Sequence, residues 1–130
     1  MARLSRADVE SVLARPSRSL NGVDLRGADL SGMHLARVDL GHALLHGADL
    51  EGADLREAVL FAAKGPLVRL KDADLRGANL TAADLTGADL RGARVDGASF
   101  AGTDLTGAVL DPGVDLPARG AIRRGPPTPR

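Results

Sequence analysis

The sequence predicts an all-β solenoid, a narrow coil built from five-residue units, and three observations predict it. Counting in fives from Leu20 to Leu110 gives 19 positions, and 16 of them are Leu. Ala stands two residues before 13 of these positions, Asp or Asn one residue before 10, and Gly two residues after 11. The chain of 130 residues has only two aromatic side chains, Phe61 and Phe100. A core filled by Leu and Ala, almost without rings, is a narrow one.

The five-residue period fits neither a helix nor a flat strand. On an α-helix each step of five residues turns by about 140°, so the leucines would scatter around the axis. On a flat strand, successive leucines would alternate between the two faces. A coil that turns a corner every five residues points each Leu inward, together with the Ala two residues before it. Gly at the end of each unit permits the corner because it tolerates positive φ.

The clean units are 28–32, 48–52 and 88–92, each reading Ala-Asp-Leu-x-Gly. They resemble the pentapeptide-repeat family, whose motif is Ala-(Asp/Asn)-Leu-x-x, and the resemblance covers about 90 residues. It implies a right-handed quadrilateral β-helix with four pentapeptides per coil. We assign residues 20–111 to this β-helix.

The two ends of the chain have a different composition. Residues 1–19 form an N-terminal capping segment, in which Ser5 and Asp8 resemble a capping box and Pro16 closes a short helix over about residues 6–14. Such a helix would cover the first coil, because an open β-helix end needs a cap. Residues 112–130 are rich in Pro, Gly and Arg and are predicted to be a disordered tail. Val114 and Leu116 are expected to lie over the last coil.

The repeat weakens near residues 61–68. Gly65 replaces a core Leu, and Pro66 has no N–H to donate to a hydrogen-bond ladder. The segment is predicted to be one irregular face or a small protruding loop. It is either a tolerated defect or a partner-binding loop that displays Phe61 and Leu67.

Composition and charge exclude several classes of protein. The formal net charge is zero, so we expect neither direct nucleic-acid binding nor attraction to an anionic membrane. No apolar run approaches the roughly 20 residues of a membrane span, and the N-terminus does not resemble a signal peptide. A cytoplasmic location is the expectation. The absence of cysteine excludes disulfides and thiolate metal sites.

Residues with catalytic or metal-binding chemistry follow the repeat rather than a site. His42 and His46 have the spacing of a helical metal pair, but on a β-helix they would point outward from neighbouring faces, as surface histidines like His34. Nine aspartates share one position of the repeat and are predicted to have a structural role near the corners: Asp24, Asp29, Asp39, Asp49, Asp54, Asp74, Asp84, Asp89 and Asp104. No phosphate-binding or calcium-repeat motif is present. The sequence therefore predicts no enzyme, no cofactor and no metal.

The resemblance also implies an alternative function, because some members of the family mimic DNA and bind DNA gyrase. Residues 20–110 contain 13 Asp and Glu against nine Lys and Arg, a balance of −4. Basic and acidic residues alternate at the outward positions, however, and only Phe100 places an aromatic ring at a core position. The second reading is therefore that the chain mimics DNA and so binds DNA gyrase or topoisomerase.

The favoured function is a non-catalytic protein-binding or scaffolding module with an unidentified protein partner. The oligomeric state is expected to be a monomer or an end-to-end dimer. The tail arginines Arg119, Arg123 and Arg124 could contact an acidic partner, but a solubilising role is the favoured interpretation. The candidate partner contacts are Phe61, Lys64, Leu67, Glu51, Lys71, Arg91, Arg56 and Arg76.

Overall fold

The computed structural model describes residues 2–114 and 116, and most of them are wound into a β-helix-like solenoid. Isolated parallel bridges connect one coil to the next, such as Asp29 with Asp49 and Asp49 with Arg69. From Ser19 to Val109, the bridged residues are twenty positions apart. The described residues contain one helix, α1 (Arg6–Leu13), and their β structure consists of these single-residue bridges rather than longer strands.

Main-chain hydrogen bonds repeat at every step between coils. The Leu50 N–H donates to the Arg69 carbonyl at 2.8 Å, and the Asp49 N–H donates to the Ala28 carbonyl at 2.9 Å. Because each coil is bonded to the coils before and after it, its backbone polar groups are satisfied without an extended sheet. This ladder aligns equivalent positions of successive units into columns along the axis.

The corner between two units is a tight turn. The Ala28 N–H donates to the Leu25 carbonyl at 3.0 Å, and Gly27, the second of the two residues between them, has a φ of +68°. A bond across three residues with positive φ only at the second central residue is the pattern of a type II turn. Eleven of the corner residues are Gly, as the repeat predicts. Seven other side chains adopt the same left-handed conformation: Arg37, His42, Glu57, Ala62, Leu67, Asp72 and Ala82.

The core is the column of inward Leu and Ala side chains that the repeat predicts. Nine of the core leucines and five of the alanines have no exposed surface, and Phe100 takes one of the Leu positions, also fully buried. Where Gly65 interrupts the leucines, the buried Val68 replaces the usual Ala. A Cβ atom on Gly65 would lie 3.3 Å from both Cβ and Cγ1 of Val68, so the larger side chain fills the vacated space.

The structural role predicted for the nine repeat aspartates is confirmed. In each of them, Oδ1 accepts a hydrogen bond from the backbone N–H two residues later, as between Asp54 and Arg56 at 3.2 Å. That N–H is the first central one of the turn and does not take part in the ladder. The carboxylate therefore stabilises the corner through this hydrogen bond, as in an Asx turn.

The predicted N-terminal helix is confirmed. Helix α1 begins after Ser5, whose side chain accepts from the Asp8 N–H at 3.2 Å, while the Ser5 N–H donates to the Asp8 carboxylate at 2.8 Å. Val9 is buried in the core, and Val12 and Leu13 pack against it. Arg6 donates to the Ser31 carbonyl at 2.9 Å, which ties the helix to the first coil.

The loop or distorted face that the sequence predicts at residues 61–68 is absent. The Gly65 N–H donates to the Asp84 carbonyl at 2.8 Å, and Pro66 accepts from the Gly47 N–H at 3.0 Å, so the ladder is continuous. Pro66 is accommodated because it occupies the first central position of a type II turn, where Pro is favoured and the ladder needs no N–H. In other units, the N–H at the position of Pro66 bonds the side chain of the Asp two residues earlier. Here that earlier residue is Lys64, so no such bond is lost. The irregularity is confined to side chains.

At the C-terminal end, Leu116 packs against the core, as predicted, and Val114 is half-buried. The Gly92 N–H donates to the Asp111 carboxylate at 2.7 Å on this last coil. The predicted disordered tail lies, from residue 117 onward, outside the described residues. Within residues 2–114 and 116, no helix is long and apolar enough to span a bilayer.

A charge at a core position is expected to unfold the solenoid. Leu50 is fully buried, so Leu50→Asp loses its packing and buries a carboxylate, a combined penalty above about 5 kcal/mol. The neighbouring outward substitution Glu51→Ser is the control and should change the free energy of unfolding by no more than about 0.5 kcal/mol. Urea unfolding followed by circular dichroism measures both. Wild-type stability of Leu50→Asp would contradict the inward assignment.

Candidate functional site

The candidate contact residues fall on two different surfaces of the rod. The apolar surface comprises Leu44, Phe61, Lys64, Pro66 and Leu67. The fork surface covers two neighbouring faces: one holds Asp54, Arg56, Asp74 and Arg76, and the next holds Asp89 and Arg91, in the bridged column of Asp49 and Arg69. Residues 62–66 and 72–76 are ten positions apart, half of the twenty-residue bridge spacing, so the face of Lys64 and the face of the first two forks lie on opposite sides of the coil. Each surface is formed by outward side chains, because the inward positions are already used by the core.

The fork surface is built from Asp-Leu-Arg triplets. Arg56 Nε donates to Asp54 Oδ1 at 2.9 Å and Arg56 Nη2 donates to Asp54 Oδ2 at 2.8 Å, a bidentate pair. The pairs Arg76–Asp74 and Arg91–Asp89 have the same geometry. In each triplet the intervening Leu points inward, which leaves Asp and Arg side by side on the outside. The carboxylate thus clamps the corner and binds the guanidinium at the same time.

These pairs alter the titration of the carboxylates. The hydrogen bonds from the Arg56 side chain lower the pKa of Asp54 to about 2, and a similar fork from Arg26 lowers the pKa of Asp24 to about 2. Hydrogen bonds from Arg76 and Arg91 likewise lower the pKa values of Asp74 and Asp89. Each fork therefore consists of two fully charged groups that neutralise one another at physiological pH.

Most of the charged candidates are thus engaged within the chain. Arg56, Arg76 and Arg91 each form a fork, and Glu51 accepts from Arg69 at 3.2 Å. Lys71 is exposed and forms none of the ion pairs found among the described residues. Sequence reasoning did not identify the forks. The signal was present in the sequence as four copies of Asp-Leu-Arg, beginning at residues 24, 54, 74 and 89.

The apolar surface displays Phe61 and Leu67. They are the exposed large hydrophobic side chains of the described residues, with 41% and 58% of their surface accessible. The His42 and Phe61 rings pack in a T-shaped arrangement, with ring centroids 5.6 Å apart and planes at 77°. The structure therefore brings Phe61, Lys64 and Leu67 onto one coil, on one face and its two corners.

Leu67 has an unusual backbone conformation for an exposed leucine. Its φ is +61°, at a corner position that the coils before and after it fill with Gly47 and Gly87. A left-handed backbone costs a residue with a Cβ on the order of 1 kcal/mol, and Gly avoids that cost. Leu67 Cδ2 lies above Gly87, where an added Cβ would approach it to 2.8 Å. The fold therefore gains little from Leu at this corner.

The acidic residues do not form a continuous stripe along the described part of the rod. The column of Asp29 and Asp49 is interrupted by Arg69 before it reaches Asp89. The neighbouring column runs through Leu44 and Lys64 before Asp84. On the fork surface, Arg56 and Arg76 lie beside Asp54 and Asp74, and Arg56 Nε lies 4.0 Å from Asp74 Oδ2. The surface is a patchwork of both signs.

Among residues 2–114 and 116, no three His, Asp or Glu side chains are arranged so that they would hold a metal ion. A shallow depression of about 280 Å³ is lined by Arg56, Glu57, Arg76 and Gly77 on the fork surface. It contains two forked arginines rather than an activated nucleophile or base.

Comparison with known proteins supplies the family context. The family model for pentapeptide repeats matches residues 24–60 and 73–111, in eight copies. The chain is similar to the crystal structure of a pentapeptide repeat protein from the Arabidopsis thaliana thylakoid lumen, with 39% identity, a TM-score of 0.52, and coverage of 77% of this chain and 71% of that one. Such structural neighbours imply a right-handed β-helix-like solenoid. No curated protein sequence matches the chain.

Two further solved structures are more distant. HetL, a pentapeptide repeat protein involved in heterocyst differentiation regulation in the cyanobacterium Nostoc, is 36% identical with a TM-score of 0.37. The match covers 71% of this chain and 46% of HetL. A plasmid-mediated fluoroquinolone resistance protein is 24% identical with a TM-score of 0.45, over 69% of this chain and 61% of its own.

The Asp54–Arg56 fork is expected to make stability depend on pH in the acid range. Because the folded pKa of Asp54 is about 2, below the ordinary 3.8, its contribution is present above about pH 4 and is lost as the pH falls towards 2. Asp54→Asn keeps the turn bond, as Asn79 does with the Thr81 N–H at 3.0 Å, but removes the ion pair. The variant should be less stable than wild type at pH 5, and the difference should shrink at pH 2.5.

The double variant Asp54→Asn with Arg56→Gln provides the matched control. Urea unfolding of the two single variants and the double variant at both pH values forms a thermodynamic cycle. If the fork is one interaction, the double variant loses less stability at pH 5 than the sum of the two single losses. Strict additivity at pH 5 would show that the two side chains act independently.

Proposed function

Because the chain belongs to the pentapeptide-repeat family, we propose that it is a non-catalytic protein-binding or scaffolding module whose contact site is the apolar surface around Phe61 and Leu67. The twenty-residue bridge spacing supports a coil of four pentapeptides as the frame of this module. Successive coils would then hold outward side chains in fixed columns, about 4.8 Å apart along the axis.

Exposure at Phe61 and Leu67 is the observation that carries the proposal. Both are large apolar side chains that point outward. At their outward positions, the other units of the described solenoid carry polar or small residues, or Val and Leu that are at most half-exposed. Leu67 also adopts a left-handed conformation that Gly fits better. A side chain that is costly for the fold and exposed to water is explained by a contact made outside the chain.

The fork surface is the less suitable contact site. A partner that used Arg56, Arg76 or Arg91 would compete with a bidentate carboxylate already bonded to each guanidinium. Breaking such a fork costs charge-assisted hydrogen bonds that a new partner has to replace. Lys71 is the one candidate on that side of the rod without an ion pair among the described residues.

The second reading is that the chain mimics DNA and binds gyrase, and the acidic balance of −4 over residues 20–110 favours it. Nineteen units, at four per coil and about 4.8 Å per coil, would make a rod of about 23 Å. Duplex DNA carries about one negative charge per 1.7 Å of axis, which would be roughly 13 charges over that length. Forks neutralise Asp54, Asp74 and Asp89, and Lys64 and Arg69 interrupt two acidic columns. The charge pattern therefore supports the protein-binding reading over the mimic.

Substitutions on the apolar surface are expected to abolish partner retention without unfolding the chain. Phe61→Thr and Leu67→Gly introduce residues found one coil further along the same columns, at Thr81 and Gly87. The free energy of unfolding should change by no more than about 1 kcal/mol, since neither side chain lies in the core. Affinity capture from the native cell extract compares these variants with wild type, and Lys71→Ser, half a coil from Phe61, is the control.

Wild type and Lys71→Ser should retain the same specific protein, and the double variant Phe61→Thr with Leu67→Gly should lose it. Retention by the double variant, or loss with Lys71→Ser alone, would place the contact elsewhere and contradict the proposal.

A supercoiling assay tests the second reading. At micromolar concentration the chain is expected to leave gyrase activity unchanged, because its forks remove the continuous negative potential that a duplex presents. Inhibition that disappears when Asp29 and Asp49 are replaced by Asn would favour DNA mimicry instead.

A further inference from the structure

We propose that the apolar surface binds an extended peptide segment of its partner, in which one acidic side chain lies between two apolar side chains on the same face. The inference rests on the proposed function, since it names the chemistry of the partner that the module binds. It is carried by the order of Phe61, Lys64 and Leu67 along one coil, by the charge of Lys64, and by the size of the surface.

The size of the surface favours a peptide over a folded domain or a second copy of the chain. The exposed parts of Phe61 and Leu67 together amount to an area on the order of 200 Å², given the surface of such side chains. A stable interface between folded proteins needs about 800 Å² from each partner. A short extended segment can use a smaller surface, because two anchoring side chains supply most of its contact.

The order of residues along the coil defines the partner's pattern. Lys64 lies midway between Phe61 and Leu67, three residues from each, and all three are exposed. The coil therefore presents an apolar, a cationic and an apolar group in sequence. An extended peptide places its side chains i, i+2 and i+4 on one face, over about 13 Å. That span is compatible with the seven residues 61–67 of a coil that turns at both ends of the face.

The positive charge of Lys64 favours an acidic residue at the centre of the peptide. Lys64 forms none of the ion pairs found in the described chain, and its neighbour on the preceding coil is Leu44. On the following coil lies Asp84, whose Oδ1 accepts from the Thr86 N–H at 3.0 Å and from the Thr86 hydroxyl at 2.6 Å. A carboxylate bound to Lys64 is repelled from the Asp84 side. The peptide should therefore lie towards Leu44 and His46.

A selection of peptides tests this assignment. The full chain is immobilised and presented with a phage-displayed library of random seven-residue peptides, and the enriched sequences are read. Wild type should enrich peptides with apolar residues two positions before and after an Asp or Glu. The acidic residue is expected to be enriched about two- to fivefold, the factor that corresponds to an exposed ion pair.

Variants distinguish the roles of charge and apolar contact. Lys64→Glu should reverse the central preference to Lys or Arg and keep the apolar residues. Leu67→Gly should lose the apolar preference on one side of the acidic residue. Lys71→Glu, half a coil from Phe61, is the control and should leave the selected pattern unchanged.

Two outcomes would overturn the inference and can be told apart from failure of the proposed function. In the first, wild type selects no pattern while its cell-extract partner is still lost with Phe61→Thr and Leu67→Gly. The protein-binding function would then stand and the peptide class would be wrong. Selection of a pattern that Lys64→Glu does not change would show that the charge of Lys64 plays no part in recognition.

Discussion

The hydrogen-bonded step between coils is the constraint on which the rest of the molecule depends. Because a residue such as Asp49 is bridged to Asp29 before it and Arg69 after it, every coil must repeat the path of its neighbours. A unit cannot gain or lose a residue without breaking the ladder, and its second corner residue must adopt a left-handed backbone. This explains why the chain continues through Gly65 and Pro66 without a loop. The ladder fixes the backbone, and sequence variation is expressed in outward side chains.

The repeat also determines where charge can act. An Asp placed before the inward Leu is held at the corner by the backbone N–H two residues later, so its carboxylate has a fixed orientation. When the residue after that Leu is Arg, as in Asp54 and Arg56, the guanidinium meets the fixed carboxylate in bidentate geometry. Charges that look available for binding are thus used locally. The remaining outward groups, above all Phe61, Lys64 and Leu67, are the ones free to contact another molecule.

Much of this structure was predictable because it follows from periodicity. The inward Leu and Ala, the role of the nine aspartates and the capped helix before Pro16 all follow from local rules that the ladder does not override. The path at residues 61–68 was not predictable from Pro66 alone, because its effect depends on whether its missing N–H belongs to the ladder. The forks are not predictable from single positions, because Asp54 and Arg56 are neighbours only once the Leu between them points inward.

Site-specific photo-crosslinking tests the central claim most directly, namely that the apolar surface is where the rod meets its partner. Phe61 or Lys71, both exposed, is replaced in turn by p-benzoylphenylalanine, and the chain is irradiated in its native cells. The account predicts a discrete protein adduct from position 61 and none from position 71. A discrete adduct from position 71, with none from position 61, would contradict it.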